Sequence, residues 1–508
     1  MRSRRDAHSL ASRVIPTFGL LIFAVGFIRG LVGLRLLRGD GDVGRHIRVG
    51  QDILATGRIP AVDTYSHTMR GAPFVPYEWL SEVLVGKADA LSGLAGVAVL
   101  SALVFGATSW VAYRIARLVG SGPLFAILAA GLGLVLQTTH LLPRPHLFTT
   151  LFAALFLWLL EAVRLGHARQ LLLALPVLML VWANLHGGFL VGFVLLAVYL
   201  ADAWLPGSTA RSHRGVLAGV TAACLLASLL TPAGPGLWAH TTGYLGVDFL
   251  VDRTIEYQSP DFHATYGRAL LLVILMGIGL LATGSSRVSF VETAMFAGWL
   301  AAALHSGRNI PLFAVLAVPF YAAWARRVCS DPARLGPLST AAGRLLTVDT
   351  ELERTERVLR PALLSAAVTL GVLVFALGPL RAGFRFDPSF FPVEALSRVP
   401  AGGLRGNVLN DMAWGGYLLL ERPDIPVFMD GQTDFYGADL GREYVGAMAG
   451  LPDWKQVLEK YGIGWTLTGT DAALVQLLRC EDGWIEVYRD DVAVIMSSDP
   501  SSRRVGPP

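Results

Sequence analysis

The sequence predicts an α-helical polytopic membrane protein with about eleven transmembrane helices and a small C-terminal α/β domain outside the cytoplasm. Composition is the first observation: 53% of the 508 residues are hydrophobic, only 16% are charged, and the mean hydropathy is +0.53. The bilayer is therefore the expected solvent. Long apolar runs recur up to residue 380, and beyond it they shorten to strand length.

The apolar runs define the predicted spans, because a membrane helix needs roughly 20 mostly apolar residues. They lie near residues 15–36, 94–118, 123–139, 147–164, 170–185, 189–205, 215–231, 268–284, 288–304, 310–325 and 361–380. We assign residues 1–380 to a transmembrane bundle with a large first external loop over 37–90.

The arginines orient this bundle, since cytoplasmic loops carry an excess of Lys and Arg. With the N-terminus inside, the cytoplasmic segments hold most of the arginines of the short turns, including Arg114, Arg117, Arg164 and Arg169. The short external turns hold few, among them Arg144 and Arg308. The C-terminus is then predicted outside.

Residues 381–495 are predicted to form the external α/β domain, with 496–508 as a disordered tail. Strand-length runs (GNVLN, IPVFMD, WTLTG and WIEVYRDDVAVIMSS) alternate with the helical patterns WKQVLEKYG and DAALVQLLRC. Such alternation is typical of an α/β fold. Within the first loop, VGRHIRVGQDILATG has helical periodicity and is expected to lie along the membrane surface.

Polar residues gather on the predicted external face, where five loops contribute histidine, arginine or carboxylate. Ionisable groups near bilayer depth are costly and tend to face a cavity or one another. We therefore expect a polar bowl above the bundle, although loops are polar in any case. The residues concerned include Asp40, Asp42, His46, Glu78, His140, Arg144, His146, Glu256, His305 and Arg308.

Asp40 and Asp42 form a DxD pair directly after the first span. Two such carboxylates can share a metal ion, or one can act as a general base. Nucleotide-sugars are cytoplasmic, so an activated sugar on the external side must arrive on a lipid carrier. Arg144 and Arg308 are the candidates for binding its phosphate, with His146 and His305 beside them; snorkelling to the interface is the alternative.

These features resemble the GT-C superfamily of integral membrane glycosyltransferases, which use lipid-phosphate or lipid-pyrophosphate sugar donors. The resemblance implies that an acidic residue early in the first loop, Asp40 or Asp42, is catalytic. It also implies that a divalent metal, Mg²⁺ or Mn²⁺, is a candidate cofactor, with Asp40, Asp42 and Glu256 as candidate ligands. His46, Glu78 and Glu256 are expected to support the acceptor and the loop.

A narrower similarity is to oligosaccharyltransferase catalytic subunits. Trp414-Gly415-Gly416-Tyr417 is similar to their WWDYG motif, with glycine in place of the aspartate. Thr254-Ile255-Glu256 is similar to their TIxE motif but one residue short. The segment VFMDGQTDFYG, with Asp430 and Asp434, either faces the bowl or forms a strand-end turn.

The favoured hypothesis is inverting glycosyl transfer from a polyprenyl-linked donor to a lipid, envelope-glycan or protein acceptor outside the cytoplasm. The alternatives are a transporter or flippase of a lipid-linked substrate and a non-catalytic membrane scaffold. No nucleic-acid partner is expected, and GxSxG and phosphate-loop motifs are absent from the sequence. Arginine outnumbers lysine among the basic residues, which is associated with GC-rich bacterial genomes; we expect a bacterial plasma membrane.

Overall fold

The computed structural model describes residues 16–34, 36–37, 40–244, 255–284, 288–359, 365, 369, 371, 383–499 and 501. The chain divides into two compact units. The bundle unit contains residues 1–34, 98–231 and 255–382, and the loop–sheet unit contains residues 35–97, 232–254 and 383–508. The first loop, 37–90, thus groups with the C-terminal residues, whereas the predicted domain boundaries place it with the bundle; those boundaries stay a prediction.

The bundle unit is helical. Its α-helices are Phe18–Leu34, Leu94–Leu118 (in this unit from Ala98), Pro123–Gln137, His146–Arg164, Ala174–Leu185, Leu190–Trp204, Arg214–Ser228, Thr265–Gly284, Phe290–His305, Ile310–Leu316, Val318–Cys329, Pro332–Leu335 and Ser339–Val358. Ten of the eleven predicted apolar runs fall on these helices. The eleventh, 361–380, lies outside the described residues apart from three isolated positions.

Within the described residues, five helices are long and apolar enough to cross a membrane, or six if one bent pair is a single span. Three apolar helices, Phe18–Leu34, Arg169–Leu185 and Phe290–His305, are shorter. The apolar helices fit a membrane-embedded protein. The predicted total of about eleven spans and their orientation stay predictions.

The bent pair has a local cause. Helix Ile310–Leu316 meets helix Val318–Cys329 at an angle of 48°. Pro319 lies in the first turn of the second helix, where it cannot donate a backbone hydrogen bond to the preceding turn. The bend therefore follows from the sequence, because proline breaks the hydrogen-bond ladder of the helix.

The loop–sheet unit combines short helices with six strands. Its α-helices are Asp42–Thr56, Trp79–Ser92, Gly236–Tyr244, Val393–Ser397, Gly415–Glu421, Thr433–Met448, Trp454–Lys460 and Ala473–Arg479. Its strands are β1 (Leu36–Leu37), β2 (Arg385–Phe386), β3 (Asn407–Asn410), β4 (Ile463–Gly469), β5 (Ile485–Arg489) and β6 (Ala493–Ser497). Strands β1 and β2 pair in parallel.

The other four strands form one sheet in the order β3-β4-β6-β5. Strand β4 is parallel to β3 and antiparallel to β6, which pairs antiparallel with β5. The small predicted C-terminal sheet is confirmed, with helices Trp454–Lys460 and Ala473–Arg479 where the sequence places them. Of the predicted tail, Met496 and Ser497 belong to β6, and residues 502–508 lie outside the described residues.

The predicted strand IPVFMD is not part of this sheet. Pro426 has no backbone N–H to donate, and Val427 pairs instead with the first loop. Its N–H donates to the Tyr65 carbonyl over 3.1 Å, and its carbonyl accepts from the His67 N–H over 3.0 Å. The Phe428 N–H donates to Asn410 Oδ1 over 2.8 Å. The segment therefore joins the first loop to β3 as an irregular connection.

The two helices of the first loop pack so closely that their backbones are in contact. We call Asp42–Thr56 the first loop helix and Trp79–Ser92 the second loop helix. A Cβ atom on Gly50 would lie 1.9 Å from the Glu82 carbonyl oxygen, and one on Gly86 would lie 2.7 Å from the Gly50 carbonyl carbon. Only glycine permits this approach, and it brings the side chains one turn from Gly50 against the second loop helix.

Candidate active site

The predicted acidic pair lies at the start of the first loop helix. Asp40 is 1% exposed, and Asp42, the first helical residue, is half-buried. A carboxylate in the first turn interacts favourably with the positive end of the helix dipole. The Asp42 carboxylate lies against Gly431, since a Cβ atom there would be 1.8 Å from Asp42 Oδ1. The segment that follows Asp430 thus covers Asp42.

A buried ion pair holds the first loop helix to that segment. Arg45 Nη1 donates to Asp430 Oδ2 over 2.6 Å, and the two residues are 2% and 0% exposed. The guanidinium also lies over the rings of Tyr65 and Phe74, at 5.2 and 5.5 Å. Burial alone would lower the pKa of Arg45, but Asp430 raises it above the ordinary value. Arg45 therefore stays charged and is committed to Asp430.

On the adjoining turn, His46 meets two carboxylates of the second loop helix. Its Nδ1 lies 3.5 Å from Glu82 Oε1 and 3.9 Å from Glu78 Oε2. All three residues are buried. Burial alone would lower the pKa of His46, but the hydrogen bond with Glu82 and the charges of Glu78, Glu82 and Asp42 raise it above its ordinary value. The His46 imidazole is therefore held among carboxylates, which favour its protonated form.

A third contact joins helix Gly236–Tyr244 to the same segment. His240 Nε2 lies 2.9 Å from Asp434 Oδ2, and the rings of His240 and Tyr77 are 4.8 Å apart. Burial raises the pKa of the Tyr77 hydroxyl well above its ordinary value, and the charges of Asp434 and Glu78 raise it further. Tyr77 therefore stays neutral and can donate a hydrogen bond. Asp430 thus contacts Arg45 and Asp434 contacts His240, and the two sequence interpretations of this segment stay predictions.

The bundle unit holds a separate polar cluster around Glu256. Arg144 Nη1 donates to Glu256 Oε1 over 3.3 Å, and His140 Nε2 lies 3.7 Å from Glu256 Oε2. Burial alone would raise the pKa of Glu256, but Arg144, His140 and Arg308 lower it below its ordinary value. Glu256 is therefore ionised at neutral pH.

Arg308 reaches this cluster through Tyr257. Its guanidinium donates to the Tyr257 hydroxyl and lies 5.1 Å from the centre of that ring. The rings of His140 and His146 are 4.4 Å apart, and the His146 Nε2 is 3.0 Å from the His140 carbonyl oxygen. Arg144, His146 and Arg308, predicted from two regions of sequence, are thus grouped around Glu256 and His140.

The described hydrogen bond of His305 is made by its backbone. It ends helix Phe290–His305, and its carbonyl accepts a hydrogen bond from Ser259 over 3.4 Å. Its predicted role in phosphate binding stays a prediction.

With Arg144 and Arg308 positive and Glu256 negative, those three charged side chains sum to +1, so the cluster is suited to an anion.

Comparison with solved structures gives the fold. The archaeal oligosaccharyltransferase AglB of Archaeoglobus fulgidus, in complex with an inhibitory peptide and a dolichol-phosphate, is similar with a TM-score of 0.59. Identity is 12%, over 94% of this chain and 74% of that one. ArnT of Cupriavidus metallidurans, bound to undecaprenyl phosphate, has a TM-score of 0.50 at 16% identity, over 96% of this chain and 99% of that one. This chain has the GT-C glycosyltransferase fold.

The sequence comparisons add nothing to this assignment, because no family model and no curated protein sequence matches the chain. At 12% and 16% identity, the likeness establishes the fold alone. The predicted GT-C resemblance is confirmed at that level. The roles of the individual site residues stay predictions.

The motif similar to WWDYG has a packing role in this chain. Gly415 and Gly416 begin helix Gly415–Glu421, which packs on the first loop helix. A Cβ atom on Gly416 would lie 2.2 Å from the Gly41 carbonyl oxygen, and one on Gly44 would lie 2.3 Å from the Gly416 carbonyl oxygen. The position that holds aspartate in the motif has no space for a side chain here.

We therefore expect Gly416→Ala to disturb the backbone that carries Asp40 and Asp42. Because the Cβ atom meets backbone rather than a flexible side chain, the helices must separate, at a cost of about 1–3 kcal/mol. The measurement is the apparent unfolding temperature of the purified protein. Gly446→Ala is the control, since its nearest contacts are at an ordinary 3.7 Å. Equal stability of the two variants would contradict this packing account.

The predicted metal ligands differ in how well they suit a cation. Glu256 already interacts with Arg144 and His140, and neighbouring positive charge opposes a cation there. Thr254 of the short TIxE-like motif lies outside the described residues. His46 and Glu78, predicted only as supporting residues, form with Glu82 the group of metal-ligating side chains found among the described residues.

Three important residues were not singled out from sequence: Glu82, Arg45 and Tyr257. The spacing of Glu78 and Glu82, four residues apart at a helix start, is a signal that both lie on one helix face. Arg45 was grouped with the polar face of a surface helix, yet it is 2% exposed. Tyr257 directly follows Glu256, and nothing in its sequence context indicates a partner 51 residues away.

Proposed function

We propose that this protein transfers a sugar from a polyprenyl-phosphate or polyprenyl-pyrophosphate donor to a lipid, envelope glycan or protein outside the cytoplasm. The observation that carries the proposal is the cationic cluster of Arg144 and Arg308 around Glu256, in a chain of GT-C fold. The similar ArnT structure is bound to undecaprenyl phosphate, and that of AglB to a dolichol-phosphate.

The proposed binding of the donor phosphate by Arg144 and Arg308 rests on charge and geometry. Arginine binds phosphate through paired N–H donors, and Glu256 and Tyr257 hold the two guanidinium groups at one cluster. Cationic donors placed where negative charge develops on a leaving phosphate stabilise the transition state of its departure. His140 and His146 add polar contacts beside them.

Asp40 or Asp42 takes the role of the general base that activates the acceptor. A carboxylate within hydrogen-bond reach of an acceptor hydroxyl can remove its proton as the sugar is transferred. Asp40 is buried at the helix start and Asp42 is half-buried against Gly431, so both are held in position. In this proposal the enzyme inverts the sugar configuration, since the acceptor attacks directly. The site is expected on the external side of a bacterial plasma membrane.

The test compares phosphate binding and sugar transfer in variants of the cationic cluster. Arg144→Gln with Arg308→Gln is expected to weaken binding of undecaprenyl phosphate by about 10²–10⁴-fold, because each of the two charge-assisted hydrogen bonds contributes about 1.5–3 kcal/mol. Binding is measured on purified protein in detergent by native mass spectrometry. Arg268→Gln, an exposed arginine of the bundle unit, is the control.

The same variants are then expressed in a strain that lacks the gene, and its envelope glycans are compared by mass spectrometry. We expect a sugar to be lost in the null strain, restored by wild type and Arg268→Gln, and not restored by the double variant. Undiminished binding and full restoration by the double variant would contradict the assignment of Arg144 and Arg308 as the residues that bind the donor phosphate. An unchanged glycan profile in the null strain would contradict glycosyl transfer itself.

A further inference from the structure

His46, Glu78 and Glu82 bring one imidazole and two carboxylates together in a buried cluster. Glu82 is 2% exposed, Glu78 is 9% exposed and His46 is 8% exposed. Across the described parts of the chain, the hydrogen-bond partner of the Glu82 carboxylate is His46. Buried carboxylates are ordinarily paired with cations or coordinate metals, and here they lie against an imidazole, which is itself a common metal ligand.

The arginine next to this cluster in sequence donates its hydrogen bond to a different carboxylate. Arg45 precedes His46 in the chain, but its guanidinium donates to Asp430 over 2.6 Å. Asp42 adds a further carboxylate one turn before His46. Asp42, Glu78 and Glu82 thus place three carboxylates around His46, and carboxylates beside an imidazole form a ligand set for a divalent cation.

We propose that His46, Glu78 and Glu82 bind one divalent transition-metal ion, of the class of Zn²⁺ or Mn²⁺. Ligand atoms about 2.1 Å from an ion, at tetrahedral angles, lie about 3.4 Å apart. His46 Nδ1 is 3.5 Å from Glu82 Oε1 and 3.9 Å from Glu78 Oε2. One ligand atom from each residue lies within 4.8 Å of the others, so small side-chain rotations suffice.

The ligand set selects the class of ion. Mg²⁺ and Ca²⁺ prefer oxygen ligands throughout, whereas an imidazole nitrogen with two carboxylates suits Zn²⁺, Mn²⁺ or Fe²⁺. The scaffold is rigid, because Gly50 and Gly86 hold the two loop helices at backbone contact. Glu78 immediately precedes the second loop helix and Glu82 lies in its first turn, so both carboxylates come from the start of that helix. The ion therefore joins the two loop helices.

The test measures metal directly on the full-length protein in detergent, without any sugar transfer. After treatment with a chelator, the protein is titrated with Zn²⁺ or Mn²⁺, and bound metal is counted by mass spectrometry. We expect one ion per chain and a rise in unfolding temperature with free metal. Glu82→Gln and His46→Gln are each expected to weaken binding about 100-fold. The control, Asp89→Asn, removes a half-buried carboxylate from the same second loop helix and should bind as wild type does.

A spectroscopic readout separates coordination from stability. Mn²⁺ bound to wild type should give electron spin-echo modulation from an imidazole nitrogen, and that modulation should be absent in His46→Gln. If His46→Gln fails to fold, the nearly isosteric Glu82→Gln serves as the second test of metal binding. Absence of stoichiometric binding of either ion, or binding unchanged in Glu82→Gln, would overturn the site. Such a result leaves the proposed glycosyl transfer untouched, because neither measurement depends on it.

Discussion

Exchanging both Asp40 and Asp42 for asparagine is expected to reduce sugar transfer by about 10²–10⁴-fold, the range that a positioned general base contributes. Asparagine keeps the shape and can still hydrogen-bond, but it cannot accept a proton from the acceptor. Asp40 is 1% exposed, so an isosteric exchange is needed to avoid a cavity. The expected loss is therefore in the rate of transfer rather than in folding.

The measurement is envelope-glycan mass spectrometry in the null strain carrying each variant at matched membrane abundance. The single exchanges, Asp40→Asn and Asp42→Asn, identify the base as the one whose loss reproduces the double variant. Asp52→Asn is the matched control, because Asp52 lies on the same helix and pairs with Arg48 at 2.9 Å. Full restoration by the double variant would favour the transporter or scaffold hypothesis instead.

Breaking the buried ion pair of Arg45 and Asp430 should destabilise the loop–sheet unit by about 3–5 kcal/mol, because one charge is left buried without its partner. Arg45→Met removes the cation and leaves Asp430, which is 0% exposed. The contact joins residues 385 positions apart. Its loss should therefore loosen the segment that covers Asp42.

The measurement is the apparent unfolding temperature, followed by limited proteolysis of the variant. Arg48→Met is the control on the same helix: the Arg48–Asp52 pair is 30% and 33% exposed, and such pairs contribute about 0–1 kcal/mol. The double variant Arg45→Met with Asp430→Leu should recover much of the loss, since neither charge then remains. Equal losses of unfolding temperature in Arg45→Met and Arg48→Met would contradict the expectation that the buried ion pair stabilises the protein more than the exposed one.

The local elements of this protein were determined largely by its sequence. Apolar runs of membrane length predicted the helices of the bundle, and the periodicity of VGRHIRVGQDILATG predicted the first loop helix. Strand-length runs separated by turn residues predicted β3 to β6. Each pattern reflects interactions among near neighbours in the chain, which is why the sequence alone suffices. The exception is IPVFMD, whose backbone partners lie in the first loop.

Tertiary structure alone decided which polar side chains meet. Arg45 and Asp430 pair across most of the chain, and His46 faces Glu82 because Gly50 and Gly86 let two helices touch. From sequence, all the external polar residues formed one candidate set. The structure divides them into a carboxylate-rich cluster around His46 and a cationic cluster around Glu256. Long-range packing sets these partnerships, and hydrophobic periodicity records only which face of an element is buried, not what lies against it.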